Sequence, residues 1–184
     1  MNTSLTGNTI LMLIANGFNE IEYTEVQRAL VKTGATIKVV SPEKSVANGW
    51  HGDGWGHYFP VDQNIGDALG SDYDLMVLVG GERGIAKLAQ NPHTKRMVGH
   101  FLDAQKQIVA INEAVTLLAL PGKLEGRAIA ADKTDPALAA TGAQISDESI
   151  VQDGNLLTLQ GENMAELTAA LLSHLAEAPA LAAA

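Results

Sequence analysis

The sequence of 184 residues contains no cysteine. A chain without thiols cannot form disulfides, cannot supply a thiolate nucleophile and cannot offer a cysteine ligand to zinc. Covalent thiol chemistry is therefore excluded for this chain before any other feature is considered.

Positive charge and long apolar runs are also scarce. The chain has 12 Lys and Arg against 21 Asp and Glu, which gives a net charge of −9. Nucleic-acid grooves and anionic membrane surfaces both select clustered Lys and Arg. No apolar run approaches the roughly 18 residues of a membrane span, and the first 17 residues lack the basic stretch of a signal peptide. We therefore expect a cytoplasmic protein that binds neither nucleic acid nor membranes.

Apolar residues form 46% of the chain, enough for one domain over residues 1–184. Residues 1–8 and 178–184 are expected to be flexible ends. Continuous apolar runs with helical patterns between them predict buried parallel strands at 9–15, 36–40, 73–81, 108–111 and 126–131. The alternation predicts an α/β three-layer sandwich, with a doubly wound, mostly parallel sheet and helices on both faces.

Three predicted strand ends carry distinctive residues. They are Gly17 to Glu22, the pair Gly80-Gly81, and the pair Asn112-Glu113. Ligands of open α/β sheets bind at the carboxyl ends of the strands. We therefore expect these three segments to line one crevice.

The same segments resemble the ThiJ/PfpI superfamily, in its PfpI-like bacterial branch. GFNEIE (17–22) resembles the family's G-F-x-E-x-E, and YDLMVLVGG (73–81) resembles its Y-D-x-x-x-x-x-G-G. GHYFPVD (56–62) and DGNLLTL (153–159) resemble two further family motifs. The resemblance implies the flavodoxin-like fold of class I glutamine amidotransferases, and assembly into a homodimer or a higher homo-oligomer.

The chain departs from the family at its best-known motif, A-x-C-H-G-P. Asn112 stands at the nucleophile position, Glu113 at the histidine position, and Gln160 where relatives have an arginine. We therefore expect the relatives' thiol-dependent peptidase, deglycase, glyoxalase and isonitrile hydratase activities to be absent. The segment around Asn112 is therefore predicted to keep the structure of the relatives' reactive site but not to catalyse their reaction.

Glu22, Asn112 and Glu113 each have a structural and a functional interpretation. Glu22 either completes a capping box with Asn19 or keeps a role in the site. Asn112 is either a helix N-cap or an occupant of a left-handed turn, and its amide could donate to a ligand. Glu113 either interacts with a helix dipole or pairs with Glu22 as acid and base.

Other candidate residues surround this crevice. Gly80 and Gly81 could present backbone N–H groups to a ligand, could form a tight strand-to-helix turn, or could do both, and Arg83 either holds an anionic ligand or is a surface residue. His51, Asp53 and His57 match no zinc motif, so no metal is predicted, and no phosphate loop or dinucleotide motif indicates a cofactor. Residues 43–63 are predicted to form a hairpin or irregular excursion, in which Trp50 and Trp55 suit an interface.

Three functional hypotheses follow. The first is a protein that acts by oligomer assembly or by binding a small molecule, without covalent catalysis. The second is a non-covalent acid/base enzyme, of hydratase, lyase or isomerase type, that uses Glu22 and Glu113. The third, a stress-type chaperone, needs an exposed apolar surface.

Overall fold

The computed structural model describes residues 3–178. The strands in chain order are β1 (Thr9–Leu13), β2 (Phe18–Asn19), β3 (Thr36–Ser41), β4 (Val46–His51), β5 (Gly54–Pro60), β6 (Gln63–Asn64), β7 (Leu75–Leu78), β8 (Gln107–Ile111), β9 (Ala128–Ala130), β10 (Gln144–Ser146), β11 (Ile150–Asp153) and β12 (Leu156–Leu159). The α-helices are α1 (Glu20–Val31), α2 (Glu82–Gln90), α3 (Pro92–Asp103), α4 (Pro136–Ala139) and α5 (Met164–Glu177). Two 3₁₀ segments span Gly70–Asp72 and Asn112–Ala119.

Seven strands form the central sheet in the order β11-β12-β8-β7-β1-β3-β6. Every pairing within it is parallel except that of β11 with β12. The predicted doubly wound, mostly parallel sheet is therefore confirmed. From β1 the chain first fills one side of the sheet and then returns to place β7 on the other side. The ends of β1 and β7 thus form a topological switch point, where such sheets bind ligands.

Side chains of the central strands alternate between two apolar layers. Leu11, Leu13 and Met76 point into a layer shared with α2 and α3. Ile10 and Met12 point into the other layer, which α1 and α5 cover. Alternation along buried strands explains why their sequences are apolar throughout.

The predicted strand at 126–131 exists as β9 but lies outside the central sheet. It pairs in parallel with β10 as a separate two-stranded unit. Side chains on the neighbouring hairpin bind two of its N–H groups: Asp153 accepts from Ala128 N at 2.8 Å, and Thr158 accepts from Ala130 N at 2.7 Å. The predicted strand is therefore confirmed, but it pairs with β10 and not with a strand of the central sheet.

The predicted excursion at 43–63 contains an antiparallel hairpin of β4 and β5, which joins β2 in a small sheet. At the amino end, Leu5 is buried and its N–H donates to Thr33 O at 2.8 Å, so this part of the predicted flexible end packs against the core. Within the two predicted flexible ends, residues 1–2 and 179–184 lie outside the described residues. Between residues 3 and 178, no helix has the length and apolar character needed to span a membrane.

Candidate functional site

Tight contact between the ends of β1 and β7 positions the start of α1. Asn19 N donates to Gly80 O at 2.8 Å, and the Asn19 side chain accepts from the N–H groups of Ile21 and Glu22. Gly81 has φ +110°, and a Cβ there would lie 2.4 Å from Asn19 N. Glycine is therefore required by both the backbone conformation and the close approach.

The capping interpretation of this turn is half confirmed. Asn19 is the N-cap of α1, as predicted. Glu22 does not complete the box, because the cap N–H is already donated to Gly80 O. The Glu22 carboxylate instead crosses to the ends of β7 and β8.

Glu22 is buried, with 3% of its surface exposed, and accepts three hydrogen bonds. Its Oε2 accepts from Gly80 N at 2.7 Å, while its Oε1 accepts from Asn112 Nδ2 at 2.6 Å and Asn19 Nδ2 at 3.2 Å. Burial raises the pKa of Glu22 to about 7, helped by the charge of Glu113 and opposed by the bonds from Asn112 and Gly80. Glu22 therefore changes protonation state close to neutral pH.

Asn112 occupies the turn after β8 with φ 51°, so the predicted left-handed backbone is confirmed. The N-cap interpretation is wrong, because Asn112 is the first residue of the 3₁₀ segment and Ile111 holds the cap position. The amide instead bonds Gly161 in both directions, donating to its O at 3.0 Å and accepting from its N at 2.8 Å. With the further bond to Glu22, both Nδ2 hydrogens are donated. Asn112 therefore links the turn after β8 to α1 and to the segment after β12.

Glu113 lies on the exposed side of the same turn and points back toward Glu22. Its Oε2 accepts from Gly81 N at 3.1 Å. A Cβ on Gly80 would lie 2.3 Å from Glu113 Oε2 and 2.8 Å from Glu22 Oε2. Both oxygens therefore converge on Gly80, within the range of roughly 4–6 Å over which charges shift each other's pKa.

The predicted ligand-binding residues have other partners in the structure. The N–H groups of Gly80 and Gly81 each donate to a carboxylate of the pair. Arg83 places its guanidinium 3.6 Å from the centre of the Trp50 ring, a cation–π contact. The structure thus brings Glu22, Glu113, Gly80 and Gly81 together and holds Arg83 against the hairpin.

A cleft of about 930 Å³ opens beside the carboxylate pair. Its walls are the start of α1, the turn after β8, and the segments that follow β9 and β12. Those last two segments add Asp132, Asp135 and Glu162, which the sequence reasoning missed. Glu162 follows β12 of the central sheet, so the strand-end argument could have found it, whereas Asp132 and Asp135 follow β9, which lies outside that sheet.

A second cluster of ionisable groups consists of Glu20, which is buried beneath the hairpin, and two histidines of that hairpin. His57 Nδ1 lies 2.5 Å and His51 Nδ1 3.6 Å from Glu20 Oε1, and His57 N donates to Oε2 at 2.8 Å. Burial raises the pKa of Glu20, but the bonds from His57 outweigh it and hold the pKa below 4.5. Asp53 does not join the cluster, and within residues 3–178 no three His, Asp or Glu side chains are placed to hold a metal.

Comparison with known proteins extends the resemblance to most of the chain. The model of the DJ-1/PfpI family matches residues 8–174. Protein DJ-1 homolog D of Arabidopsis thaliana is 29% identical over 130 residues, covering 64% of this chain and 33% of that protein. An uncharacterized protein of Methanocaldococcus jannaschii is 29% identical over 162 residues, covering 86% and 77% of the two chains.

Solved structures share the same fold. A ThiJ/PfpI domain protein from Brachyspira murdochii superposes with a TM-score of 0.77 at 25% identity, covering 91% of this chain and 98% of its own. A two-domain protein from Anabaena variabilis, with DJ-1/ThiJ/PfpI-like and ferritin-like domains, gives a TM-score of 0.81 at 24% identity. This chain spans about a third of the Arabidopsis protein (33%) and about half of the Anabaena protein (49%). With its family model matched over residues 8–174, the chain belongs to the DJ-1/PfpI family.

Proposed function

We propose that the cleft binds a small molecule and that Glu22 and Glu113 act on it as a non-covalent acid/base pair. The observation that carries this proposal is the convergence of the two carboxylates on Gly80 at the wall of an open cleft. Two carboxyl groups in unlike environments are the usual arrangement for dividing acid and base roles.

The environments of the two groups suggest their roles. Glu22 is buried and burial raises its pKa to about 7, so it can hold a proton at neutral pH. Glu22 is thus the proton donor, and the exposed Glu113 is the acceptor. Hydration, elimination and isomerisation through an enol all move a proton onto one atom and off another, and each can proceed without a covalent intermediate.

The neighbouring residues serve the pair in this proposal. Gly80 N and Gly81 N orient one carboxylate each, in place of stabilising an oxyanion on the substrate. Asn112 fixes Glu22 through its 2.6 Å bond. The chain has no cysteine, so the thiol-dependent chemistry named for the resemblance has no nucleophile here.

Exchange of substrate C–H protons with solvent tests the proposal without knowledge of the substrate. The protein is incubated with pooled small metabolites in D₂O, and loss of C–H signals is followed by NMR. We expect exchange by the wild-type protein and a decrease of roughly 10²–10⁴-fold for Glu113→Gln, the range supplied by a general base. Glu148→Gln, a change at an exposed glutamate away from the cleft lining, is the control and should exchange at the wild-type rate. Equal rates for Glu113→Gln and wild type would contradict the proposal.

A second candidate function, assembly into a homo-oligomer, is favoured by apolar side chains on α1 and the hairpin. Ile21, Trp55 and Tyr58 are 47%, 58% and 71% exposed. Large aromatic side chains are enriched at interfaces. We expect a dimer or larger species by sedimentation, and a monomer for the double change Trp55→Ser with Tyr58→Ser. A wild-type monomer at high concentration would contradict this candidate.

The third hypothesis, a cytoplasmic stress-type chaperone, would use the same exposed apolar residues. Wild-type protein should then suppress the aggregation of a heat-denatured client, and the double variant should not. Equal suppression by both proteins would contradict a chaperone role for this surface.

A further inference from the structure

We infer that the cleft selects an organic cation, an ammonium or guanidinium group carried on an aliphatic chain. The inference rests on the proposed small-molecule site and names its ligand class. It is carried by the charge distribution of the walls, by the placement of the nearby cations and by the apolar side chains among the lining residues.

All ionisable side chains that line the cleft are acidic. They come from four separate segments of the chain: Glu22, Glu113, Asp132, Asp135 and Glu162. No lysine, arginine or histidine is among the lining residues in the described part of the chain. An anionic ligand would therefore meet like charge from several directions, whereas a cation would meet attraction.

The cations closest along the chain are directed elsewhere. Arg83 follows Gly81 but stacks on Trp50. Lys133 lies between two lining residues, yet its ammonium pairs with Asp147. Gln160, at the arginine position of the family pattern, donates its amide to Asn112 O and Ala130 O at 3.1 and 3.2 Å. Nothing in these contacts leaves a positive group to hold an anion.

The spread of the carboxylates favours an extended ligand over a metal ion. Within residues 3–178 no three carboxylate or imidazole side chains converge closely enough to hold an ion. Apolar side chains also line the cleft, and two of them, Ile21 and Met164, are at least partly exposed. An alkyl chain can pack on these residues while its charged end faces the carboxylates.

Three six-carbon probes that differ in charge test the inference. Hexylamine, hexanol and hexanoate share one alkyl chain, so differences in binding report the head group. We expect saturable binding of hexylamine by NMR titration, at least about tenfold tighter than hexanol, and weaker at higher salt because ions screen the carboxylates. Hexanol binding as tightly as hexylamine, or hexanoate binding more tightly, would overturn the inference. So would equal displacement of hexylamine by Mg²⁺ at matched concentration, which would indicate an inorganic ion site.

Matched glutamate variants locate the effect. Glu113→Gln and Glu162→Gln each remove one charge from the cleft, and Glu148→Gln removes one from the surface outside it. We expect the two cleft variants to weaken hexylamine binding by about 3- to 10-fold and to leave hexanol binding unchanged, because only the head group senses charge. Equal weakening by Glu148→Gln would show that hexylamine binding depends only on the net charge of the protein, and would overturn the inference.

The outcome is separable from that of the proposed acid/base function. Selective binding of hexylamine together with no proton exchange on any metabolite would retain the cation site and remove the enzyme. Proton exchange on anionic metabolites alone would retain the enzyme and remove the cation site.

Discussion

Glu20 and Glu22 lie two residues apart at the start of α1, both buried, yet their surroundings give them opposite chemistry. Burial raises the pKa of each carboxyl, but His57 reverses the effect at Glu20. At Glu22 the three hydrogen bonds come from neutral amides and do not offset burial, and Glu113 adds like charge, so the pKa rises to about 7. Burial alone therefore does not decide the charge of a carboxyl group. The charge also depends on the groups that distant segments of the chain place beside the carboxyl group.

The largest expected effect is the loss of stability on removing Glu22. Glu22→Ala leaves Gly80 N, Asn112 Nδ2 and Asn19 Nδ2 without their shared acceptor. Buried donors without partners cost about 1–3 kcal/mol each, so we expect the free energy of unfolding to fall by about 3–5 kcal/mol. Urea denaturation at pH 5 measures it, because there Glu22 has not yet ionised in the folded protein. Glu20→Ala should cost about 1 kcal/mol, since its imidazole partners are exposed and find water. Equal costs for the two variants would break the comparison.

The pH dependence of stability should have opposite signs at the two positions. Between pH 4.5 and about 7 the folded protein binds more protons at Glu22 than the unfolded chain does, so stability falls as the pH rises. This contribution is at most about 3 kcal/mol, and Glu22→Gln should remove it. At Glu20 the lowered pKa stabilises the fold above pH 4.5, and that stabilisation is lost as the pH falls through the folded-state pKa.

Denaturation curves of wild type, Glu20→Gln and Glu22→Gln from pH 3 to 8 check these signs. The difference between wild type and Glu22→Gln should change mainly between pH 4.5 and 7. The difference for Glu20→Gln should change only below pH 4.5. A slope of the same sign for both pairs would contradict the assignment.

Loss of the Asn112 amide should raise the pKa of Glu22 further. Asn112→Gly keeps the left-handed backbone at φ 51° and deletes the donor that lies 2.6 Å from Glu22 Oε1. We expect a stability loss of about 1–2 kcal/mol from the missing bonds, and a higher midpoint in an NMR titration of the Glu22 carboxyl carbon. An unchanged midpoint would show that the amide does not stabilise the charged form.

The smallest expected effect is at His57, whose side chain is 82% exposed. His57→Ala removes the imidazole but retains the 2.8 Å bond from His57 N to Glu20. The pKa of Glu20 should rise, and the free energy of unfolding at pH 7 should change by less than about 1 kcal/mol. Thermal denaturation against wild type checks the stability, with His100→Ala, at an exposed histidine on α3, as the control.

The sheet and the place of the site could be predicted from local sequence, because buried parallel strands are continuously apolar and their ends meet at one edge. The left-handed conformation of Asn112 was expected from the turn that the ThiJ/PfpI resemblance implies at this position. The hydrogen-bond partners of Glu22 could not be predicted. Whether Glu22 completes a capping box depends on a backbone bond from Asn19 to Gly80, some 60 residues away along the chain.

The acidic cleft and the Glu20 cluster were missed for a related reason. Asp132 and Asp135 follow β9, a short strand outside the central sheet. Their position in the same cleft as Glu113 therefore depends on how β9 packs. His57 reaches Glu20 only through the hairpin of β4 and β5. Local patterns indicate elements, and the contacts between elements determine the chemistry.

The most direct test of the central claim is a ¹³C NMR titration of the Glu22 carboxyl carbon in wild type and in Glu113→Gln. We predict a midpoint near pH 7 in wild type, because burial and the Glu113 charge raise the pKa of Glu22. The midpoint should fall in Glu113→Gln, where the like charge is gone. A wild-type midpoint near the ordinary value of 4.5, unchanged by the substitution, would contradict the acid/base pair.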